Sequence, residues 1–351
     1  MRVSVVCESF WLVKKLSCKL ISDHFANHAR LTVANTLGAR FKNSFEIHFN
    51  IIKMRFISSI ITLLIGFTCI AQTIPIDSLY LGQTPPDEIP KKYNLFASLT
   101  FAAVERIAIS NDGKIVIYHE NNGYDKSSIG RIRSYSFINN KWTSSIALFN
   151  GYTAPSFSVT NDTLFVEKDN RVWYSVKDND KWTNPIKFDS RILYWHYYQI
   201  TNSGTLYASL KNQDRLNKKD WSSINIINKD TIVKSLGAPI NSIDNNLDFY
   251  ISRDESYIIF SSERSDLTKY GYFDLFISFR TKDNLWTTPQ NLGQEINKAN
   301  EVRWGPYVSP DKKYLFYSCS STQDNSDACT NWVRIDKLVE RLRNNSRFDY
   351  K

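Results

Sequence analysis

Three carboxylates stand where a pair of them could do chemistry. Glu105, Asp248 and Glu301 each fall just before or at the start of a run rich in aromatic and β-branched residues. Two such groups facing each other across a gap are what glycoside hydrolysis needs: one protonates the leaving oxygen, the other acts as base or nucleophile. Arg106, His196, Arg303 and Trp304 share that position, as does the run Tyr194-Trp195-His196-Tyr197-Tyr198 with its Trp195. A rim of aromatics, acids and Arg also suits a sugar or peptide held by stacking and bidentate hydrogen bonds. The plainer alternative is a set of channel residues paired with one another and with water. An open, aromatic-lined pocket with two facing acids would favour hydrolysis, and a plugged or Lys/Arg-lined channel would favour binding alone.

Other chemistries find no support. The chain lacks the G-x-S-x-G turn that presents a nucleophilic serine. It has no H-E-x-x-H pair, and His119-Glu120 runs into Asn121-Asn122-Gly123, which reads as a strand end and turn. No Walker or dinucleotide glycine pattern occurs, so no cofactor and no metal is expected. Asp324-Asn325-Ser326-Asp327 lacks the glycine and distal glutamate of a calcium loop and reads as a solvated turn. Cys319 and Cys329 flank a ten-residue polar loop between two strands, and in an exported chain such a pair reads as a disulfide.

The elements that must position these residues repeat. Asn111-Asp112-Gly113, Asn161-Asp162, Asn202-Ser203-Gly204, Arg253-Asp254-Glu255 and Pro310-Asp311-Lys312 each precede a run such as Tyr257-Ile258-Ile259-Phe260 or Tyr314-Leu315-Phe316-Tyr317. Asp, Asn and Gly tolerate turn backbones, and alternating aromatic and β-branched residues favour strands. The turns recur at a spacing of roughly 40–55 residues, the signature of a β-propeller. Each unit continues with a third strand (Ile132–Phe137, Arg171–Val176, Trp221–Ile226, Asp274–Phe279, Trp332–Ile335) and in four units a short fourth. Trp142, Trp182 and Trp286 open the fourth element in three units and read as packing residues between blades. The fifth unit lacks a fourth strand, whereas Pro90–Phe96 looks like a fourth strand without a blade. The N-terminal strand should therefore close the last blade and remove the open sheet edges. The expectation is an all-β propeller of five blades, a sixth having room in irregular text such as 208–245, followed by a short amphipathic helix from Asp336 to Leu342.

Charge needs placing before it is used. The chain of 351 residues carries 44 Lys+Arg against 35 Asp+Glu, a net +9. Residues 1–53 hold eight of the bases and three of the acids, hence five of the nine charges. Met54-Arg55, an apolar run from Phe56 to Phe67 and Ala71-Gln72 then read as a signal peptide cleaved after Ala71. The run is too short for a comfortable membrane span. Residues 1–53 read as an upstream extension, 72–343 as one propeller domain and 344–351 as a tail. Without 1–71 the net charge falls to +3 and no basic-aromatic patch remains, so nucleic acid is not an expected partner.

Part of this text resembles a known family. Val308-Ser309-Pro310-Asp311-Lys312-Lys313-Tyr314-Leu315-Phe316 is similar to the "SPDGKyLxF" repeat of TolB-like, WD-repeat-like propellers, and Tyr272-Phe273-Asp274-Leu275-Phe276-Ile277-Ser278 to their "DLYxS" strand. Tyr80–Pro86 and Trp332–Arg343 resemble exported members from Bacteroidota-type bacteria. The resemblance covers roughly 78–343 and is strongest in the last two units. It implies a periplasmic or surface-exposed scaffold binding a protein, peptide or glycan, with no one ligand specified.

Overall fold

The structure, a computed structural model, describes residues 74–346 apart from 96–101, 122–129, 180, 189–195, 212–218, 228–229, 243, 268 and 323. The expected upstream extension and signal peptide lie outside the described residues. Five antiparallel sheets are arranged as blades. The first strand, β1 (Lys91–Lys92), joins the last blade. Blade I holds β2 (Ala102–Ile109), β3 (Ile115–Asn121) and β4 (Gly130–Ile138), with β5 (Lys141–Trp142) and β6 (Ile146–Asn150) sharing its outer edge. Blade II repeats this with β7 (Thr153–Phe157), β8 (Thr163–Lys168), β9 (Arg171–Asp178), β10 (Lys181–Trp182) and β11 (Ile186–Lys187). Blade III is β12 (His196–Ile200), β13 (Leu206–Lys211), β14 (Lys219–Ile227) and β15 (Asp230–Ser235). Blade IV is β16 (Asn246–Ile251), β17 (Tyr257–Ser262), β18 (Asp274–Phe279) and β19 (Gln290–Asn291). Blade V is β20 (Val302–Val308), β21 (Tyr314–Ser320) and β22 (Cys329–Arg334).

The expected closure is present: β1 pairs with β22, Lys91 opposite Trp332, and completes blade V. The inner strands β2, β7, β12, β16 and β20 touch in succession, and β20 meets β2 again. Middle strands such as Tyr257–Ser262 and Asp274–Phe279 are buried along their whole length, because a neighbouring blade covers each face. This explains their continuous apolar text. The outer β15 is mostly exposed.

The core divides by seam. One apolar cluster fills each junction between neighbouring blades. Trp286 packs with Trp221, Phe249 and Phe260 between blades III and IV. Trp182 lies 6.0 Å from the Phe157 ring between I and II, and Trp142 donates its indole N–H to Ser78 O at 2.7 Å. The closing seam is the most aromatic, with Tyr93 and Trp332 each 5.0–5.5 Å from Phe316.

The five turns share one construction. Ser110, Ser158, Thr201, Ser252 and Ser309 are buried, and the carbonyl of each accepts from the N–H three residues on. That third residue (Gly113, Asn161, Gly204, Glu255, Lys312) has φ between 58° and 82°. Glu255 bears the strain of a left-handed non-glycine backbone, but its carboxylate is held by Thr201, Ser203, Tyr207 and Arg280. The terminal helix, α1 (Asp336–Ser346), runs four residues beyond the expected Leu342. Gln290 Nε2 donates to Leu342 O and Ser346 Oγ and holds that extra turn against blade IV, while Leu338, Val339 and Leu342 pack on the IV–V seam.

Candidate functional site

Every inner strand breaks register at the same place. The shift falls between Ala103 and Ile107 in β2, Thr153 and Ser156 in β7, His196 and Gln199 in β12, Asn246 and Phe249 in β16, and Trp304 and Tyr307 in β20. A bulge re-aims the side chains it contains. Here the bulges hold Glu105, Arg106, Tyr197 and Asp248 and turn their side chains toward the axis, while Gly305 contributes bare backbone. Ala154, Tyr197 and Gly305 take φ of 48°, 57° and 60°. A Cβ on Gly305 would meet Arg106 N and Tyr197 Oη, each at 3.2 Å, so the ring closes tightly there.

At the channel mouth three carboxylates gather near one imidazole. His196, the first residue of β12, places Nδ1 2.8 Å from Glu167 Oε2 and Nε2 3.3 Å from Asp248 Oδ1. With both nitrogens facing carboxylates, the ring is a double donor and offers no lone pair to a metal. Burial opposes its charge, but the Glu167 charge and the hydrogen bonds it donates to Asp248 and Glu167 push its pKa up to about 10. Burial alone would raise Asp248, yet its hydrogen bond to His196 and that ring's charge hold it below the usual carboxylate range. Its other oxygen accepts from Gly305 N at 3.0 Å, and Glu167 Oε1 accepts from Tyr198 N at 3.2 Å.

Glu105 behaves oppositely. Burial, together with the Asp248 and Glu167 charges, lifts its carboxyl to about 7 against the pull of His196. Its Oε2 has no hydrogen-bond partner and lies 3.6 Å from Nδ1 of His119. Burial lowers the His119 ring to about 3, so it is neutral beside a carboxyl that is half protonated at neutral pH. Gly130 makes room for that ring, since a Cβ there would lie 2.4 Å from Nε2.

Below the mouth the channel is filled. Arg106 is 1% exposed, stacks its guanidinium 4.2 Å over the Tyr197 ring and donates to Phe249 O. Gln199 spans Phe249 O and Ile251 N, at 3.1 Å each. Beneath them a cavity of ≈ 20 Å³, bordered by Arg106, Gln199 and Tyr307, has room for about one water. At the far end Arg253 donates to Ile200 O and Phe157 O at 3.0 and 3.1 Å.

The remaining candidates divide. Arg303 is turned away from the axis: it bonds Glu301 Oε2 at 2.8 Å, Lys298 O at 3.1 Å and Ile296 O, and so ties the crossover from blade IV to V. Glu301 is thereby placed with Arg303, while the carboxylates beside Glu105 are Asp248 and Glu167. Trp304 is buried against Leu247, Val302 and Ala328. Trp195 lies outside the described residues. Cys319 and Cys329 are directly opposed on β21 and β22 but stand as free thiols with sulfurs 3.7 Å apart, and Asn331 Nδ2 donates to the Cys319 sulfur at 3.1 Å. The strand pairing thus brings the two cysteines together without bonding them in this structure.

Glu167 and Gly305 are site residues with no motif of their own, whereas Tyr197 falls within the rim run Tyr194–Tyr198 and His119 reads from sequence as a strand end. The sequence carries a signal for both Glu167 and Gly305. Glu120 and Glu167 are acids ending otherwise apolar strands, and both are buried. Glu120 is neutralised by Arg131 at 2.5 Å and Arg133 at 3.5 Å, whereas Glu167 faces the mouth. Pro155 and Pro306 also mark bulges, since proline inside a sheet is confined to edges and bulges.

Fold and site together define a five-bladed propeller with a plugged channel and an ionisable mouth. No family model and no curated protein matches the sequence. Among solved structures, similar ones include oligogalacturonate lyase from Vibrio parahaemolyticus (TM-score 0.36, 9% identity, 69% of this chain and 68% of that one). TolB from Acinetobacter baumannii gives 0.39 at 15% identity, over 65% of this chain and 53% of that one. The periplasmic gluconolactonase PpgL of Pseudomonas aeruginosa gives 0.37 at 13% identity, over 62% and 65%. The match thus spans about half the length of TolB. Among the described residues no helix is long and apolar enough to cross a membrane.

Proposed function

We propose that this chain is an exported, non-enzymatic propeller scaffold that binds a protein, peptide or glycan at the channel mouth. The observation that carries this reading is the plug: Arg106, Tyr197 and Gln199 fill the channel directly beneath Glu105, Glu167, His196 and Asp248. A ligand can therefore rest on the mouth but cannot thread the ring. The mouth offers carboxylate acceptors beside the partly exposed imidazole of His196.

A specific observation favours a second reading, a carbohydrate-active propeller. Glu105 is raised toward 7 while Asp248 is depressed. Two carboxyls whose environments drive their pKa values apart are the usual arrangement of an acid and its ionised partner. In that case Glu105 would donate the proton and Asp248 would stabilise positive charge on the sugar.

A glycan array and an envelope-extract pull-down, run beside oligosaccharide turnover for wild type, Glu105→Gln and Asp248→Asn, separate the two. Binding that both substitutions weaken, with no turnover by wild type, supports the scaffold. Turnover abolished by either substitution replaces it with the enzyme. Binding indifferent to both removes the mouth as the site.

A further inference from the structure

A basic recess lies away from the mouth. Tyr257 and Phe279 pair at the end of blade IV opposite Asn246 and Ser262. There, between the blade and α1, is a cavity of ≈ 580 Å³ bordered by Ser256, Phe279, Arg280, Lys282, Arg343 and Ser346. Small-molecule sites commonly occupy 300–1,000 Å³.

Its charge is unbalanced. Arg280 is paired with Glu255. Lys282 and Arg343 have no carboxylate partner among the described residues, although Asp283 follows Lys282 in sequence. Both guanidiniums are fixed by aromatic faces: Arg343 lies 5.1 Å over the Phe279 ring and Arg280 5.5 Å over that of Trp286. Nε of each is covered and has no hydrogen-bond partner. Among the described residues the only polar contact of Arg343 is a long one, Nη2 to Ser256 Oγ at 3.4 Å. Helix docking does not explain this, because Leu338, Val339 and Leu342 already supply the apolar contact. An under-bonded guanidinium turned into a recess costs free energy that a counter-charge would recover.

We infer that this recess binds the oxyanion of a small organic phosphate or sulfate monoester. A tetrahedral oxyanion matches the fork of a guanidinium and accepts from an ammonium at the same time. The cavity is far larger than a bare ion, which leaves room for the organic body beside the Phe279 ring.

Titration calorimetry on the full chain tests this with phenyl phosphate, phenyl sulfate, inorganic phosphate and neutral phenol. Either ester should bind, phenol should not, and affinity should fall with added salt. The preference between the two esters tells which source of the oxyanion the site takes. Arg343→Gln and Lys282→Gln should each weaken the better ester about tenfold or more, since each removes a charge-assisted hydrogen bond to the oxyanion. Arg343 also packs on Phe279, so Lys282→Gln, an exposed change, is the variant free of helix loosening. Equal affinity in wild type and Lys282→Gln, or no heat with either ester at millimolar concentration, overturns the site. Inorganic phosphate binding as tightly as the esters overturns the organic assignment.

Discussion

Replacing His196 by glutamine should make the stability of this propeller much less sensitive to alkali. The imidazole sits between Glu167 and Asp248, and its pKa rises from 6.5 to about 10. A rise of that size favours the protonated ring in the folded state by roughly 4–5 kcal/mol. Because the folded value lies above the unfolded one, this contribution is whole below pH 6.5 and disappears as pH climbs through 10. Between those values stability should fall by about 1.4 kcal/mol per pH unit. The neighbouring pair adds little slope between pH 4.5 and 6.5. Glu105, raised from 4.5 to about 7, loses its contribution with rising pH over that range, and His119, lowered from 6.5 to about 3, loses its penalty. Folding there moves one proton from imidazole to carboxyl without net uptake.

The assay is urea unfolding of wild type and His196→Gln from pH 5.5 to 10 at constant ionic strength. Glutamine keeps hydrogen-bonding capacity but leaves two buried carboxylates without their cation. The variant should be less stable by about 3–5 kcal/mol at pH 6. The gap should then narrow by about 1.4 kcal/mol per unit above pH 7. Comparing the two proteins cancels Cys329, whose thiol is drawn down by its hydrogen bond with Cys319 and would otherwise oppose the trend. A gap that stays constant from pH 6 to 10 would refute the double-donor imidazole.

Three further outcomes are expected. Trp286→Ala, which removes an indole from the III–IV seam, should cost about 3–5 kcal/mol in denaturant unfolding, as large-to-small core changes do. Gly305→Ala should cost about 1–3 kcal/mol, because the position has φ of 60° and faces Arg106 N at 3.2 Å; thermal unfolding measures it, and an unchanged midpoint would mean the bulge has slack. Cys319 and Cys329 should oxidise to a disulfide in an oxidising compartment, leaving no thiol titratable in denaturant without reductant, and the oxidised form should be about 2–3 kcal/mol more stable. Free thiols in protein isolated from that compartment would count against the bond.

How much of this was legible in the sequence depends on what repeats. The hairpins were readable because each turn must supply a left-handed residue after a hydroxyl, and Asn111-Asp112-Gly113 or Pro310-Asp311-Lys312 writes that demand into the text. Closure was readable because a missing fourth strand and a spare one are both visible in alternation patterns. Glu105, Arg106, His196 and Asp248 were found because inner strands begin at recognisable places. Their grouping was hidden, since a bulge decides which of two adjacent side chains points inward and one residue of register reverses the answer. Arg303 and Trp304 occupy the equivalent stretch of β20, yet Arg303 reaches the carbonyls of the preceding crossover instead. Glu167 escaped because it arrives from a second strand, where no inner-strand argument looks.

The pairing of β1 with β22 also sets an order of events. Lys91 and Lys92 are the first strand of the propeller to be synthesised and the last to find their partner, which is made only when nearly the whole domain has followed. Until then blade V has no outer strand, and the aromatic seam of Tyr93, Phe316 and Trp332 is unassembled. The ring thus has a built-in test of completeness: a chain truncated before Trp332 keeps four full sheets but exposes apolar faces at the open junction. Such fragments should be sticky and short-lived, whereas the finished ring hides every seam at once.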